Sequence, residues 1–534
     1  MHGESILIRR AKIVDGTGAP WFYGDVELAG DKIARVGRCL QGSEQRGARV
    51  IDADGRVVAP GFIDIHSHSD DTILVNPRAE SKVRQGVTTE VVGNCGYSLA
   101  PLEGEALADI KRDLEDTGID VRWRSFDEYS RFVEESTTAV NIASLVGHGT
   151  VRRAVMGCVE RAPSREEMER MKSLVEQAMA EGAWGLSTGL IYPPSCYASI
   201  DEIVDLARVA AEAGGIYASH IRYEEDRVVE AVEEAIAIGE RAKVPVQISH
   251  HKSGGVQNWG KVRATIDLMR KARAGGVDVA CDVYPYTASS TGLSVILPQW
   301  IFDGGVERAV KRLKDQSVRE RIRPLVEEEE GRKRGWDKTV ISSVTREHNK
   351  RFEGKNLMEI AAMTGKEPFT AALDLIVDEM AAIQTVRFGM CEDDVEYVLA
   401  WPGASVGSDA SVRAPYGPLG RGKPHPRSYG TFPRVLARYV RERGILRLEE
   451  AVRKMTSLPA QRIGLFDRGV IRPGTVADLV IFDPDKVADT ATYEDPHRYP
   501  VGIDWVIVAG RPVIEHGEHT GAAPGRVLRR GQAV

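Results

Sequence analysis

The amino-acid sequence predicts an α/β protein in which a (β/α)8 barrel fills the middle of the chain and a smaller β module is assembled from both ends. Three observations lead there. The middle alternates β-rich runs with amphipathic helical runs, both ends read as short strands broken by turns, and strand after strand ends in a residue suited to metal binding. A chain of 534 residues is also longer than one hydrophobic core usually serves, so more than one domain is expected.

The first sixty residues contain the strand candidates Ser5–Val14, Gly24–Leu28, Lys32–Val36, Arg49–Ile51 and Arg56–Ala59. Asp15-Gly16, Gly30-Asp31 and Asp54-Gly55 punctuate them as hairpin turns require. The far end repeats this texture in Ala477–Phe482, Val501–Val508 and Arg511–Ile514. One β module drawn from both ends leaves the middle as an inserted domain. Between Pro60 and Leu465 the strand candidates are Thr88–Val92, Ala139–Leu145, Trp184–Ser187, Ile216–Ser219, Val246–Ser249, Val277–Val283, Thr339–Ser342 and Ala404–Gly407. Helical patterns at Arg165–Glu181, Ile200–Ala213, Glu225–Ala242 and Trp259–Ala274 lie between several of them. Repeated β-then-α units imply parallel strands with right-handed crossovers, and this many suit a closed barrel. No GxGxxG follows the early strands, which counts against a dinucleotide-binding fold.

From Thr287 to about Lys338 the rhythm breaks. An aromatic start, Ile296–Phe302, leads into a charged helical run that includes Glu327–Glu330 and Arg332–Arg334. The excursion, bounded at 287–347, reads both as a solvated helical insert and as a lid over the barrel mouth.

Hydrophobic residues make up 42% and charged residues 28%, as in ordinary globular proteins. A net charge of −7 with no long Lys/Arg run argues against nucleic acid or an anionic membrane as partner. The six cysteines show no CxxC pair and no dense disulfide pattern, which suits a reducing compartment. The start of the chain reads as a strand of the fold, and no apolar stretch has spanning length. The expectation is a soluble, cytoplasmic, multi-domain protein; the sequence leaves its oligomeric state open.

The sharpest local signal is Pro60-Gly61-Phe62-Ile63-Asp64-Ile65-His66-Ser67-His68. Residues i and i+2 of a strand project to one side, so His66 and His68 at a strand's end suit a transition-metal ion. Further strand ends deliver Cys95, His220, His250 and Asp409. Each alone reads more simply as packing or as a satisfied polar group, and a lone cysteine is more often buried filling. Placed at the tops of successive barrel strands, they converge on the face where barrel enzymes carry their chemistry.

With these motifs on the page, the chain resembles the D-aminoacylase (N-acyl-D-amino-acid deacylase) branch of the amidohydrolase superfamily. The resemblance runs over most of the chain: PGFIDIHSH, QGVTTEVVGNCGYSLAP from Gln85, GAWGLSTGLIYPP from Gly182, SHIR at 219–222, ISHHK at 248–252, DVYPYTASST from Asp282, GSDAS at 407–411, HPRSYGTFPRVL from His425 and MTSLPAQRIGLFDRGVIRPGTVADLVIFDP from Met455. HxH marks the whole superfamily, whereas the NCG and GLSTGLIYPP segments are specific to this branch.

The resemblance implies a β-sandwich over 1–60 and 466–534, a catalytic barrel over 61–465, and the 287–347 insertion covering the site. It implies zinc, with Cys95 in the bridging place that a carbamylated lysine holds in hydantoinases and dihydroorotases; the segment Trp184–Thr188 contains no lysine. Cys95, His220 and His250 would form a tight zinc site, and His66 and His68, with Cys95 and Asp409, a weaker second one. A thiolate, two imidazoles and an open position make a sensible catalytic zinc set. The implied activity is hydrolysis of N-acyl-D-amino acids, and with it a small-molecule substrate; the alternative is a hydantoinase- or dihydroorotase-like amide hydrolase. Asp409 is the expected general base, and Tyr192 the donor to the carbonyl oxygen. Lys252 would pair with the substrate's α-carboxylate, with Tyr284 and Ser290 completing the clamp. Arg222, His251, His148 and His425 are expected to support the site without ligating. Cys196 could line the pocket, and Arg413 could meet an acidic substrate side chain.

Overall fold

The computed structural model describes residues 5–40 and 47–531. Residues 1–4, 41–46 and 532–534, which fall within the expected β module, lie outside the described residues. The two chain ends meet in one nine-stranded sheet. Its N-terminal strands are Ser5–Ile13, Phe22–Ala29, Lys32–Gly37, Arg49–Asp52 and Val57–Pro60; its C-terminal strands are Leu479–Phe482, Ile503–Val508, Arg511–Glu515 and Glu518–His519. The seam is antiparallel, with Leu479 opposite Pro60 and Phe482 opposite Val57. At the other edge the sheet bends back on itself: Ile33 N–H donates to Thr475 O at 2.9 Å and Ala477 N–H to Asp31 O at 2.8 Å. Alternating residues of these strands, among them Ile6, Ile8, Val26, Leu28, Leu479 and Ile481, bury a core of their own.

The middle of the chain carries two parallel sheets. Phe62–Asp64, Val87–Val92 and Asn141–Ser144 form one. Val146–Gly147, Gly185–Gly189, Ile216–His220, Val246–Ile248, Val279–Val283 and Ala404–Val406 form the other, paired in that order. Hydrogen bonds bridge the gap on one side, from Trp184 N–H to Ser144 O at 2.9 Å. A parallel bridge between Ser67 and Ala410 joins the sheets on the other. These strands are buried on both faces, as parallel strands covered by helices must be.

The helices between them start where the side chains can cap them. Ser164 and Glu167 close a capping box on Arg165–Ala180, and Ser199 accepts from the Glu202 N–H at the head of Ile200–Glu212. Val228–Ala242 and Lys261–Ala274 begin two to three residues later than the apolar pattern suggests. In the second case Gly260 at φ +86° breaks the helix.

The strand run near Thr339 corrects the expected order. Thr339–Ser343 does not join the parallel set: it pairs antiparallel with Gln384–Phe388, which pairs in turn with Ala288–Gly292. β-rich texture predicts a strand but not the sheet it enters. This small sheet and its helices bury a separate core running from Leu293 to Ile383. Among the described residues no helix is long and apolar enough to cross a membrane.

Candidate metal centre

Every expected ligand leaves the C-terminal end of a parallel strand. His66 and His68 follow Phe62–Asp64, Cys95 follows Val87–Val92, His220 closes Ile216–His220, His250 follows Val246–Ile248, and Asp409 follows Ala404–Val406. Cys95, His250 and Asp409 have φ of +52°, +37° and +51°, a left-handed backbone that costs energy for such residues and is found where function demands it. The Gly-Asn-Cys-Gly turn has its own reason. A β-carbon on Gly93 would lie 2.1 Å from Leu145 O, and one on Gly96 2.7 Å from Gly189 N. Only glycines let Cys95 approach the next strands so closely.

The side chains converge in two groups that share Cys95. His66, His68, Cys95 and Asp409 form one, and Cys95, His220 and His250 the other, with donor atoms within 4.8 Å of one another in each. Cys95 Sγ lies 3.4 Å from both His66 Nε2 and His250 Nε2. Asp409 Oδ1 lies 3.0 Å from His68 Nε2 and 3.5 Å from His66 Nε2.

Burial opposes charge throughout the cluster, and the neighbours override it. Burial pushes the Cys95 thiol up, but His66 and His250 hold it well below the ordinary thiol range. Burial likewise disfavours a charged Asp409, yet Arg427, His250 and His68 keep the carboxylate well below its usual range. His68 rises to about 9 against burial, through Asp409 and Cys95. The anionic Cys95 and Asp409 thus draw positive charge to the cluster, here as the proton held on His68. His220 is buried; neither ring nitrogen makes a hydrogen bond of good geometry, and its Nε2 lies 3.5 Å from Glu224 Oε2. A thiolate and two imidazoles fit a zinc ion.

Two carboxylates back this cluster. Asp282 Oδ1 is 3.1 Å from His66 Nδ1 and accepts the His250 N–H at 2.7 Å. Glu224 Oε1 is 3.1 Å from His250 Nδ1 and accepts from Lys252 Nζ at 2.5 Å. Carboxylates on Nδ1 turn Nε2 toward a metal, and here both Nε2 atoms face Cys95. Arg427 is the third residue that sequence reasoning missed. Its Nη1 is 2.7 Å from Asp409 Oδ2, and its guanidinium lies 4.6 Å over the Tyr284 ring. Glu224 had one signal, its place four residues after His220. Arg427 had another, in the HPR segment.

The other expected residues fall into place around this centre. The Tyr192 ring packs edge-on to His220 at 5.1 Å, and its hydroxyl meets Thr291 Oγ1 at 2.9 Å. Lys252 is buried beside His250. Tyr284 is buried, its hydroxyl pushed up to about 12 by burial. Ser290 is half-buried on the antiparallel sheet, and its carbonyl accepts from Arg427 at 3.4 Å. Arg222 forks onto Glu234 and donates to the carbonyls of Cys196 and Ala198, bracing the Tyr192 loop. His148 sits between Ser195 and Glu202, His251 meets Thr265, and His425 meets Ala288 O and the Arg427 N–H. Arg413 faces Asp71 and Tyr429. All six cysteines are free.

Comparison with known proteins adds to this geometry. Residues 49–514 match the model of the amidohydrolase family. The chain is 39% identical to a D-aminoacylase of Alcaligenes xylosoxydans xylosoxydans over 98% of this chain and 97% of that protein. It is 38% identical to an N-acyl-D-glutamate deacylase of the same organism over 99% and 97%. The crystal structure of an N-acyl-D-glutamate deacylase from Bordetella bronchiseptica, complexed with zinc and a phosphonate inhibitor, superposes with a TM-score of 0.82 at 37% identity, covering 98% of this chain and 99% of that one. With its Cys95-centred cluster at the ends of parallel strands, the chain belongs to the amidohydrolase family, in its D-aminoacylase branch.

Proposed function

We propose that this protein is a zinc-dependent N-acyl-D-amino-acid deacylase, hydrolysing a linear amide to a free D-amino acid and a carboxylate. The observation that carries the reading is Cys95, whose thiol is shared by two donor groups in a chain of this branch. Cys95, His220 and His250 hold one zinc tightly; His66 and His68, with Cys95 and Asp409, hold a second more weakly. Bound zinc polarises the amide carbonyl and acidifies water.

Asp409 is the general base. Arg427 and His68 keep its carboxylate ionised, so it can take the proton of the attacking water and return it to the leaving nitrogen. Tyr192 donates its hydroxyl to the carbonyl oxygen as charge builds there; burial first, then the Cys95 charge, keeps that hydroxyl protonated. The α-carboxylate is met by Lys252, Tyr284 and Ser290. Arg427 joins them, because it touches both Tyr284 and Ser290 and offers a planar cationic fork. The hydantoinase-like alternative is disfavoured by chemistry: Gly185–Gly189 carries no lysine, and Cys95 stands between the two donor groups.

The architecture is read accordingly. The two parallel sheets close into one (β/α)8 barrel, with Asn141–Ser144 and Val146–Gly147 counted as one strand interrupted at Leu145 and the Ser67–Ala410 bridge supporting closure on the other side. Within the expected bounds 1–60 and 466–534, the described residues of both chain ends fold into a sandwich. The inserted unit within the 61–465 barrel is drawn from 288 to 388, wider than 287–347, because its sheet and core run that far. The six free cysteines suit the cytoplasm.

The test is zinc-loaded protein assayed on N-acetyl-D-methionine, -leucine, -glutamate and -aspartate with the L-isomers alongside. Hydrolysis confined to D-substrates is expected. Zinc-bound protein that ignores every D-substrate, or prefers hydantoins, overturns the reading.

A further inference from the structure

Beneath the His66–His68–Asp409 group lies a polar network that the proposed chemistry does not use. Its centre is Lys82, on the short helix Glu80–Val83, with no side-chain exposure. Lys82 Nζ reaches Asp64 Oδ2 at 2.8 Å, Ser408 Oγ at 2.9 Å, Ala410 O at 2.8 Å and Ser67 Oγ at 3.3 Å. Glu90, equally buried, lies 3.2 Å from the same ammonium and accepts from the hydroxyls of Ser67 and Ser69. Asp64 in turn accepts the Ser408 N–H at 2.8 Å, and Ser69 Oγ accepts the Val412 N–H at 2.9 Å.

The partners bracket the ligands one by one. Asp64 and Ser67 flank His66, Ser67 and Ser69 flank His68, and Ser408 and Ala410 flank Asp409. The two chain segments are more than three hundred residues apart in sequence and meet side by side at the Ser67–Ala410 bridge. There the Asp409 N–H donates to His66 O at 2.8 Å and the His68 N–H to Ala410 O at 3.2 Å. Lys82 is the buried cation that bonds to side chains of both. One buried cation thus ties together the two segments that must present imidazoles and a carboxylate to the same point. An isolated buried ammonium is costly. Here two carboxylates and two hydroxyls surround it, so the arrangement holds only while both segments keep their register.

We infer that Lys82 is a positioning residue for the weaker metal position and for the base Asp409, holding the two ligand-bearing segments in register. The inference rests on the proposed assignment of the two zinc positions. It concerns the His66–His68–Asp409 side only, since no Lys82 bond involves a residue flanking His220 or His250.

The experiment uses the full-length chain with Lys82→Met, Lys82→Arg and Ser408→Ala. Zinc per chain is followed by titration and elemental analysis, with thermal unfolding as the check on folding and kcat and KM on the best N-acetyl-D-amino acid. Folded Lys82→Met is expected to keep the tight zinc while the second binds about 10- to 100-fold more weakly. Its kcat should fall with KM nearly unchanged, and Lys82→Arg should recover part of both losses. Folded Lys82→Met with two zinc affinities and a kcat like the parent overturns the inference, as does a parent that takes only one zinc at any concentration. If Lys82→Met does not fold, Ser408→Ala decides: a weaker second zinc beside an unchanged first supports it, and two unchanged affinities overturn it. A parent that binds two zinc ions but cleaves no D-substrate breaks the functional reading alone, and the titrations still judge Lys82.

Discussion

The two donor groups that meet at Cys95 draw on different surroundings. On one side His220 is 5% exposed and its Nε2 has Glu224 Oε2 at 3.5 Å, outside hydrogen-bond geometry, and His250 is backed by Glu224. On the other, His68 is 28% exposed and already faces Asp409 at 3.0 Å, while Asp409 Oδ2 faces Arg427 at 2.7 Å. A cation entering the first group competes chiefly with Glu224 Oε2, 3.5 Å from His220 Nε2. In the second it must compete with a histidine, an arginine and solvent. Affinity follows from what the donors would otherwise do, as well as from which donors they are. The same internal bonds that compete with a metal for Asp409 keep it charged, which suits the base role proposed for it.

The largest test of this contrast removes what the two groups share. Cys95→Ala should lose tight zinc and lower kcat/KM by on the order of a thousandfold, the scale of several kcal/mol supplied by a metal. Elemental analysis beside the assay checks it. Retained zinc with full activity would break both the comparison and the family-based reading of Cys95. Asp409→Asn should act on one side alone, leaving zinc at Cys95–His220–His250 and lowering kcat by about a hundred- to a thousandfold. Loss of the tight zinc in that variant would show that the two groups are one.

The sequence made one half of this arrangement legible and hid the other. His66, His68, Cys95, His220, His250 and Asp409 each stand at or just past the end of a β-rich run, and parallel strands turn that position into a common focus at their C-terminal ends. Glu224, Asp282 and Arg427 enter through contacts that sequence spacing does not encode: Arg427 reaches Asp409 from the head of the following helix, Arg427–Arg434. The inserted sheet shows the same limit. Thr339–Ser343 has the β-rich composition of the parallel strands, and only pairing with Gln384–Phe388 reveals its sheet. Strand propensity reports a pleated, half-buried environment, not a partner.

The finest test exchanges the backing carboxylates. Glu224 lies against Nδ1 of His250, and Asp282 against Nδ1 of His66, so each orients one imidazole on opposite sides of Cys95. Glu224→Gln and Asp282→Asn preserve shape while removing charge, and each should weaken one zinc by about 10- to 100-fold. The tight zinc should suffer in Glu224→Gln and the weaker one in Asp282→Asn, where an amide oxygen can still accept the His250 N–H. Glu224→Gln should carry a second signature, because it frees Lys252 from its anionic partner. With that competitor gone, Lys252 is more available to the α-carboxylate, and KM should fall once zinc is saturating. Zinc titrations showing the same loss at the same site in both variants would mean that the carboxylates serve the cluster as a whole, and the contrast between its halves would have to be withdrawn.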